Sequence, residues 1–120
     1  MKKRQSGVLM HISSLPGKYG IGSFGQSAYD FVDFLVRTKQ RYWQILPLGT
    51  TSYGDSPYQS FSAFAGNTYF IDFDILIEEG LLNEADVKGA DFGDDPRKVD
   101  YAKIFDARRP IMEKAVARFL

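Results

Sequence analysis

The residues best suited to chemistry lie together in one short run, Tyr53-Gly54-Asp55-Ser56-Pro57-Tyr58-Gln59-Ser60. The run holds two aromatic rings, a carboxylate, hydroxyls and an amide, stiffened by a proline of fixed φ. Flat apolar faces beside hydrogen-bonding groups are what a sugar ring asks of a protein: its C–H face stacks on an aromatic ring and its hydroxyls take hydrogen bonds. The bland alternative is a packed Ω-type loop with Tyr58 as an internal plug. Its place directly after the apolar run Trp43-Gln44-Ile45-Leu46-Pro47-Leu48 favours the binding role, because sites gather on loops held by rigid strands.

Other candidates are weaker. His11 ends an apolar stretch, where a lone histidine serves either as a satisfied structural group or, at the C-terminal end of a parallel barrel strand, as a ligand contact. Asp72 and Asp74 stand at i, i+2 and would share a face of an extended segment, a separation glycoside hydrolysis could use. Asp74 also reads as the N-cap of a helical turn over 75–79, the commoner use of such a residue. Gly20-Ile21-Gly22-Ser23-Phe24-Gly25 spells G-x-G-x-x-G between a strand and a helix. A dinucleotide site would start these glycines at the strand end and place an acidic residue at the tip of the next strand. Here the glycines start eight residues after Ile12, and the second strand tip carries Gln44, Leu46 and Pro47. A P-loop reading of Gly20 to Ser27 fails because Gln26 stands where the phosphate-binding lysine belongs. A flexible loop entering a capped helix accounts for the segment better than either.

These residues need elements to hold them. Residues 7–12 read as a short, nearly continuous apolar strand, covered on both faces as in a parallel sheet. Ser23 to Gln26 matches a capping box. Ala28, Phe31, Val32 and Leu35 then mark one buried helix face ending near Lys39. A second strand over 42–47 completes a βαβ unit, which closes right-handed with parallel strands. An active-site loop spans about 48–66. Asn67 to Phe73 could extend as a further strand, and a short helix stops at Gly80. Asp91 to Lys98 reads as polar surface. A long helix starts near Asp100, with Tyr101, Ile104, Phe105, Arg108 (through its aliphatic stem), Ile111, Met112, Ala115 and Phe119 inward. Pro110 should kink or split it.

Composition excludes several function classes. Fifteen basic residues balance fifteen acidic ones, so there is no electrostatic footprint for nucleic acid or an anionic membrane. No apolar run nears the ~18 residues of a membrane span, and Lys2-Lys3-Arg4 is not followed by a signal-peptide core. With no cysteine, disulfides, thiolate nucleophiles and zinc-cysteine sites are excluded. A cytoplasmic protein is expected, and nothing suggests a cofactor or metal. Nine aromatics fall between Tyr42 and Phe73, partly in Gly/Ser/Pro-rich sequence where a core would not put them.

Taken together, the motifs resemble the start of the 4-alpha-glucanotransferases (amylomaltase or disproportionating enzyme, glycoside hydrolase family 77). The matching stretches are Gly7 to Gly17, Tyr19-Gly20-Ile21-Gly22, Trp43 to Gly49, Asp55-Ser56-Pro57-Tyr58-Gln59-Ser60 and Phe64-Ala65-Gly66-Asn67, in family order over residues 4 to about 82. The last forty residues match only loosely.

The resemblance implies an α/β fold. Residues 1–120 would form the N-terminal part of a (β/α)8 barrel: its first two strands, the active-site loop, and the start of an inserted helical subdomain over about 74–120. An uncapped final helix and two strands with open edges fit that expectation of a truncated chain. It further implies transfer of an α-1,4-glucan segment from a maltooligosaccharide donor to the 4-hydroxyl of an acceptor, with retention through a covalent intermediate. The three catalytic carboxylates would lie beyond position 120, so no catalytic residue is expected here. Tyr58 would lie over the donor sugar beside the cleaved bond and Ser56 would line the acceptor side. Asp55, Gln59 and Trp43 would belong to the motif as contacts or scaffold. An inactive fragment and a non-catalytic glucan-binding module are the alternatives.

Overall fold

The computed structural model describes residues 2–50 and 66–120. Strand β1 (Gly7–Leu9), helix α1 (Gln26–Arg37) and strand β2 (Tyr42–Gln44) form a βαβ unit. The two strands pair in parallel, with Gly7 opposite Tyr42, Val8 opposite Trp43 and Leu9 opposite Gln44. Both are shorter than the apolar runs that announce them. Met10 still donates to the carbonyl of Gln44 at 3.0 Å, but from Ile12 the chain turns into a single 3₁₀ turn, Ile12–Ser14.

Trp43 is the hinge of this unit. Its indole N–H donates to the carbonyl of Met10 at 2.7 Å, and Phe31 of α1 meets its ring edge-on at 4.8 Å. The far side of the unit differs from expectation. Leu9 and Tyr42 are exposed, as are Val32 and Val36 of α1, so the strands are covered on one face only. A strand buried on both faces needs a second layer, and among the described residues no other strand joins the sheet.

Helix α1 ends in a Schellman motif: Gln40 N–H donates to the carbonyl of Leu35 at 2.9 Å and Lys39 N–H to that of Val36 at 3.1 Å. Lys39, at φ 60°, occupies the left-handed position that glycine usually takes.

After residue 66 the chain is helical rather than extended. Thr68–Phe70 is a 3₁₀ turn capped by Asn67, whose carboxamide oxygen accepts from Tyr69 N–H at 2.9 Å, and α2 (Phe73–Glu78) follows at once. The expected strand over Asn67 to Phe73 is therefore absent; an asparagine and an aspartate placed to cap two successive turns outweigh the aromatic β-propensity. A four-residue helix, α3 (Glu84–Val87), carries a reciprocal Asn83–Asp86 capping box that the apolar pattern did not announce. Helix α4 (Tyr101–Phe119) starts on Asp100, whose carboxylate accepts from Lys103 N–H at 3.1 Å. It runs through Pro110 without splitting. Ile104, Arg108, Ile111 and Ala115 form its buried stripe, whereas Phe105 and Phe119, expected inward, are exposed.

The interior has two parts. Ile12, Leu15, Ile21, Ala28, Phe70 and Ile104 fill the first. Phe73, Leu82, Ile111 and Ala115 fill the second, and Phe92 packs against both. Phe73 and Ile104 are wholly buried. Truncating either to alanine would leave a cavity costing about 3–4 kcal/mol.

Candidate functional site at the C-terminal ends of the strands

Tyr58, Ser56, Asp55 and Gln59 lie outside the described residues. What the structure describes is the frame from which their segment leaves and to which it returns. Asn67 N–H donates to the carbonyl of Leu48 at 2.9 Å, joining exit and return by one backbone bond. Asn67 is buried at that junction, so its side-chain cap and its backbone bond are both shielded from water.

His11 stands beside the same junction. It is 8% exposed, and Nδ1 accepts from the backbone N–H of Leu46 at 3.3 Å. An accepting Nδ1 carries a lone pair, which assigns the ring proton to Nε2 and makes the imidazole neutral. Burial lowers the histidine's pKa below its ordinary value, in keeping with that assignment. Phe70 meets the ring edge-on at 5.4 Å.

Arg108 reaches the same return from α4. It is 2% exposed, and its guanidinium donates to the carbonyls of Ile71 at 2.7 Å and Thr68 at 3.4 Å. The same group lies 4.1 Å above the ring of Phe73. Burial pushes its pKa down to about 10, still charged at neutral pH, so stacking and carbonyl contacts replace part of its hydration. Helical spacing alone places only the stem of Arg108 in the core. An arginine on the apolar stripe of α4 was the signal that its head must find buried acceptors.

Asp72 and Asp74 do not form a catalytic pair. Asp72, not Asp74, caps α2, accepting from Ile75 N–H at 3.2 Å and from the Ser23 hydroxyl at 2.6 Å. Ser23 therefore does not cap α1, and Gly25 is the N-cap instead. A carboxylate is the stronger acceptor for a hydroxyl, and it draws Ser23 away from the helix start. Gln26, the other half of the expected box, turns its amide to Asp30 at 2.8 Å. Asp74 takes the hydroxyl of Tyr19 at 2.5 Å and the ammonium of Lys18 at 2.9 Å. These bonds, Tyr19's first, hold its carboxyl below the usual range, the opposite of what a general acid requires.

The glycines of G-x-G-x-x-G have packing reasons. A side chain at Gly22 would collide with the backbone of Ile12 and Leu15, and one at Gly25 with the Asp72 carboxylate. The segment is wedged between elements rather than flexible. Among the described residues no cluster of three or more potential ligands could hold a metal ion, and no helix is long and apolar enough to cross a membrane.

Comparison with known proteins decides the family. A sequence profile described as 4-alpha-glucanotransferase, glycoside hydrolase family 77, matches residues 10–120. The chain belongs to that family. It is 82% identical over 119 residues to a 4-alpha-glucanotransferase of Streptococcus pneumoniae, covering 99% of this chain and 24% of the relative. Identity to the Clostridium butyricum 4-alpha-glucanotransferase is 62% over 92% of this chain and 23% of the relative. Among solved structures, amylomaltase from Streptococcus agalactiae in complex with acarbose superposes with a TM-score of 0.94 at 65% identity. That match covers 98% of this chain and 24% of the amylomaltase chain. The chain thus spans about a quarter of the length of the family-77 relatives it matches.

Proposed function

We propose that the protein is a 4-alpha-glucanotransferase. It moves a segment of an α-1,4-glucan to the 4-hydroxyl of an acceptor glucan or glucose by a retaining double displacement. The observation that carries this reading is the family match over residues 10–120, with 82% identity to a named 4-alpha-glucanotransferase. In this reading β1 and β2 are the first two strands of a (β/α)8 barrel, and the junction of Leu48 with Asn67 lies on its catalytic face. The nucleophile, the acid–base and the supporting carboxylate belong to parts of the protein beyond these residues.

This chain supplies the sugar platform. Tyr58 stacks on the donor sugar next to the cleaved bond, Ser56 lines the acceptor side, and Asp55 and Gln59 contact the glucan or brace the loop. A rigid tyrosine also excludes water, which a transferase needs if a sugar hydroxyl is to outcompete water for the covalent intermediate. His11, with Nδ1 already engaged, has only its Nε2 edge to offer a ligand. Maltooligosaccharides are donor and acceptor, and the cytoplasm is the proposed setting.

The test is maltotriose disproportionation by the native protein, followed by chromatography. Glucose together with chains longer than maltotriose is the expected product pattern. Hydrolysis products alone, or no reaction, would overturn the assignment.

A further inference from the structure

The single histidine of the chain faces both ends of the segment that carries Tyr58. On the outgoing side its Nδ1 holds the N–H of Leu46 at 3.3 Å, two residues before the Leu48 carbonyl that takes Asn67. On the returning side its ring lies edge-on to Phe70 at 5.4 Å, three residues after Asn67. Arg108 clamps the same return through the Ile71 carbonyl at 2.7 Å. Outgoing and returning chain are therefore gripped by one buried ring from just beyond β1, while α4 backs the return.

We infer that His11 is a positioning residue for the glucan platform: its Nδ1 lone pair fixes Leu46 and its ring seats Phe70, which together set where the segment departs and re-enters. The inference deepens the glucanotransferase reading and rests on it for its activity readout. Positioning is demanding in such a site, because a displacement of about 1 Å can cost roughly 100-fold in rate. A buried neutral imidazole suits the task, being rigid, flat and able to accept at Nδ1 while packing on an aromatic edge.

The two ring nitrogens separate this role from direct sugar contact. In the native protein, His11→Asn places an amide oxygen where Nδ1 stands, whereas His11→Gln extends its polar end toward the place of Nε2. The transfer-to-hydrolysis ratio with maltotriose is measured for both variants. Amide exchange is measured alongside, in peptides holding Leu46 and Asn67. His11→Asn, which keeps the acceptor but not the ring, is expected to keep protection of the Leu46 amide, to exchange faster at Asn67 and to lose part of the transfer ratio. His11→Gln is expected to lose roughly tenfold in transfer with faster exchange at both amides. Retention by His11→Gln with loss by His11→Asn would overturn the inference and make the ring a direct sugar contact. Equal loss in both with unchanged exchange would overturn it too.

Nitrogen-15 NMR of the wild-type histidine needs no variant: a hydrogen on Nδ1 would defeat the proposal outright. A wild-type protein without transfer activity would defeat the glucanotransferase reading alone. The exchange and NMR measurements would still decide whether His11 holds Leu46.

Discussion

The carboxylate of Asp72 lies directly against Gly25, so that the cap of α2 also faces the amino end of α1. An anion is favoured there by the unpaired N–H groups of the first turn. Gly25→Ala should therefore lower the thermal midpoint of the native protein, by an amount corresponding to about 1–3 kcal/mol of overpacking. The added methyl must displace Asp72, which releases Ser23 and the α2 cap together. An unchanged midpoint would mean that Asp72 can move aside freely.

Arg108→Met should cost more than an ordinary surface change. It leaves the carbonyls of Thr68 and Ile71 without their cationic donor, a loss of about 1.5–3 kcal/mol for bonds to a charged group. Arg108→Lys should fall between, because an ammonium cannot fork or stack as a guanidinium does. Thermal unfolding of the three proteins side by side checks the order.

Asp86 ties α3 to the end of α4 through Arg118, with Lys114 at 3.7 Å, and it completes the Asn83 box. Arg118, then the Asn83 backbone, hold its pKa at about 2, below its unfolded value. A depressed carboxylate contributes stability that is present above about pH 4 and lost as pH falls toward 2. Asp86→Asn should flatten the acid side of the stability profile in that window, read by denaturant midpoints at successive pH values. A parallel acid slope in both proteins would refute the role.

Lys39 holds a left-handed conformation at φ 60° in the Schellman turn. Replacement by glycine removes about 1 kcal/mol of backbone strain, partly offset by the greater freedom of glycine in the unfolded chain. A small rise in thermal midpoint for Lys39→Gly is expected, and a fall would show that the unfolded-state term wins.

Tyr58→Ala in the native protein should cut the transfer rate by about tenfold, the equivalent of roughly 1.4 kcal/mol of lost stacking. The share of hydrolysis should rise at the same time. An unchanged ratio of transfer to hydrolysis would remove Tyr58 from the sugar platform.

The βαβ unit was legible because its signals are periodic and local: an apolar run, an apolar face at helical spacing, then a second run. The run Tyr53 to Ser60, singled out as a sugar-binding loop by its aromatics, lies outside the described residues. What escaped the sequence were contacts between distant positions. Ser23 looks like a cap until Asp72, 49 residues away, takes its hydroxyl. Asp74 looks like a cap until Tyr19 and Lys18 claim it. The aromatics of 69–73 look extended until Asn67 and Asp72 turn the chain twice. Arg108 gives no hint along the chain of the two carbonyls it reaches.

The chain has one tryptophan, and its place between the Met10 carbonyl and the Phe31 ring makes it an optical reporter. Its emission reads the docking of α1 on the parallel pair, and little else in these residues competes for that signal. Undocking would wet the indole and shift its fluorescence to longer wavelength even while the helix itself stayed intact. Far-ultraviolet dichroism and tryptophan emission, followed together, would then separate loss of packing from loss of helix.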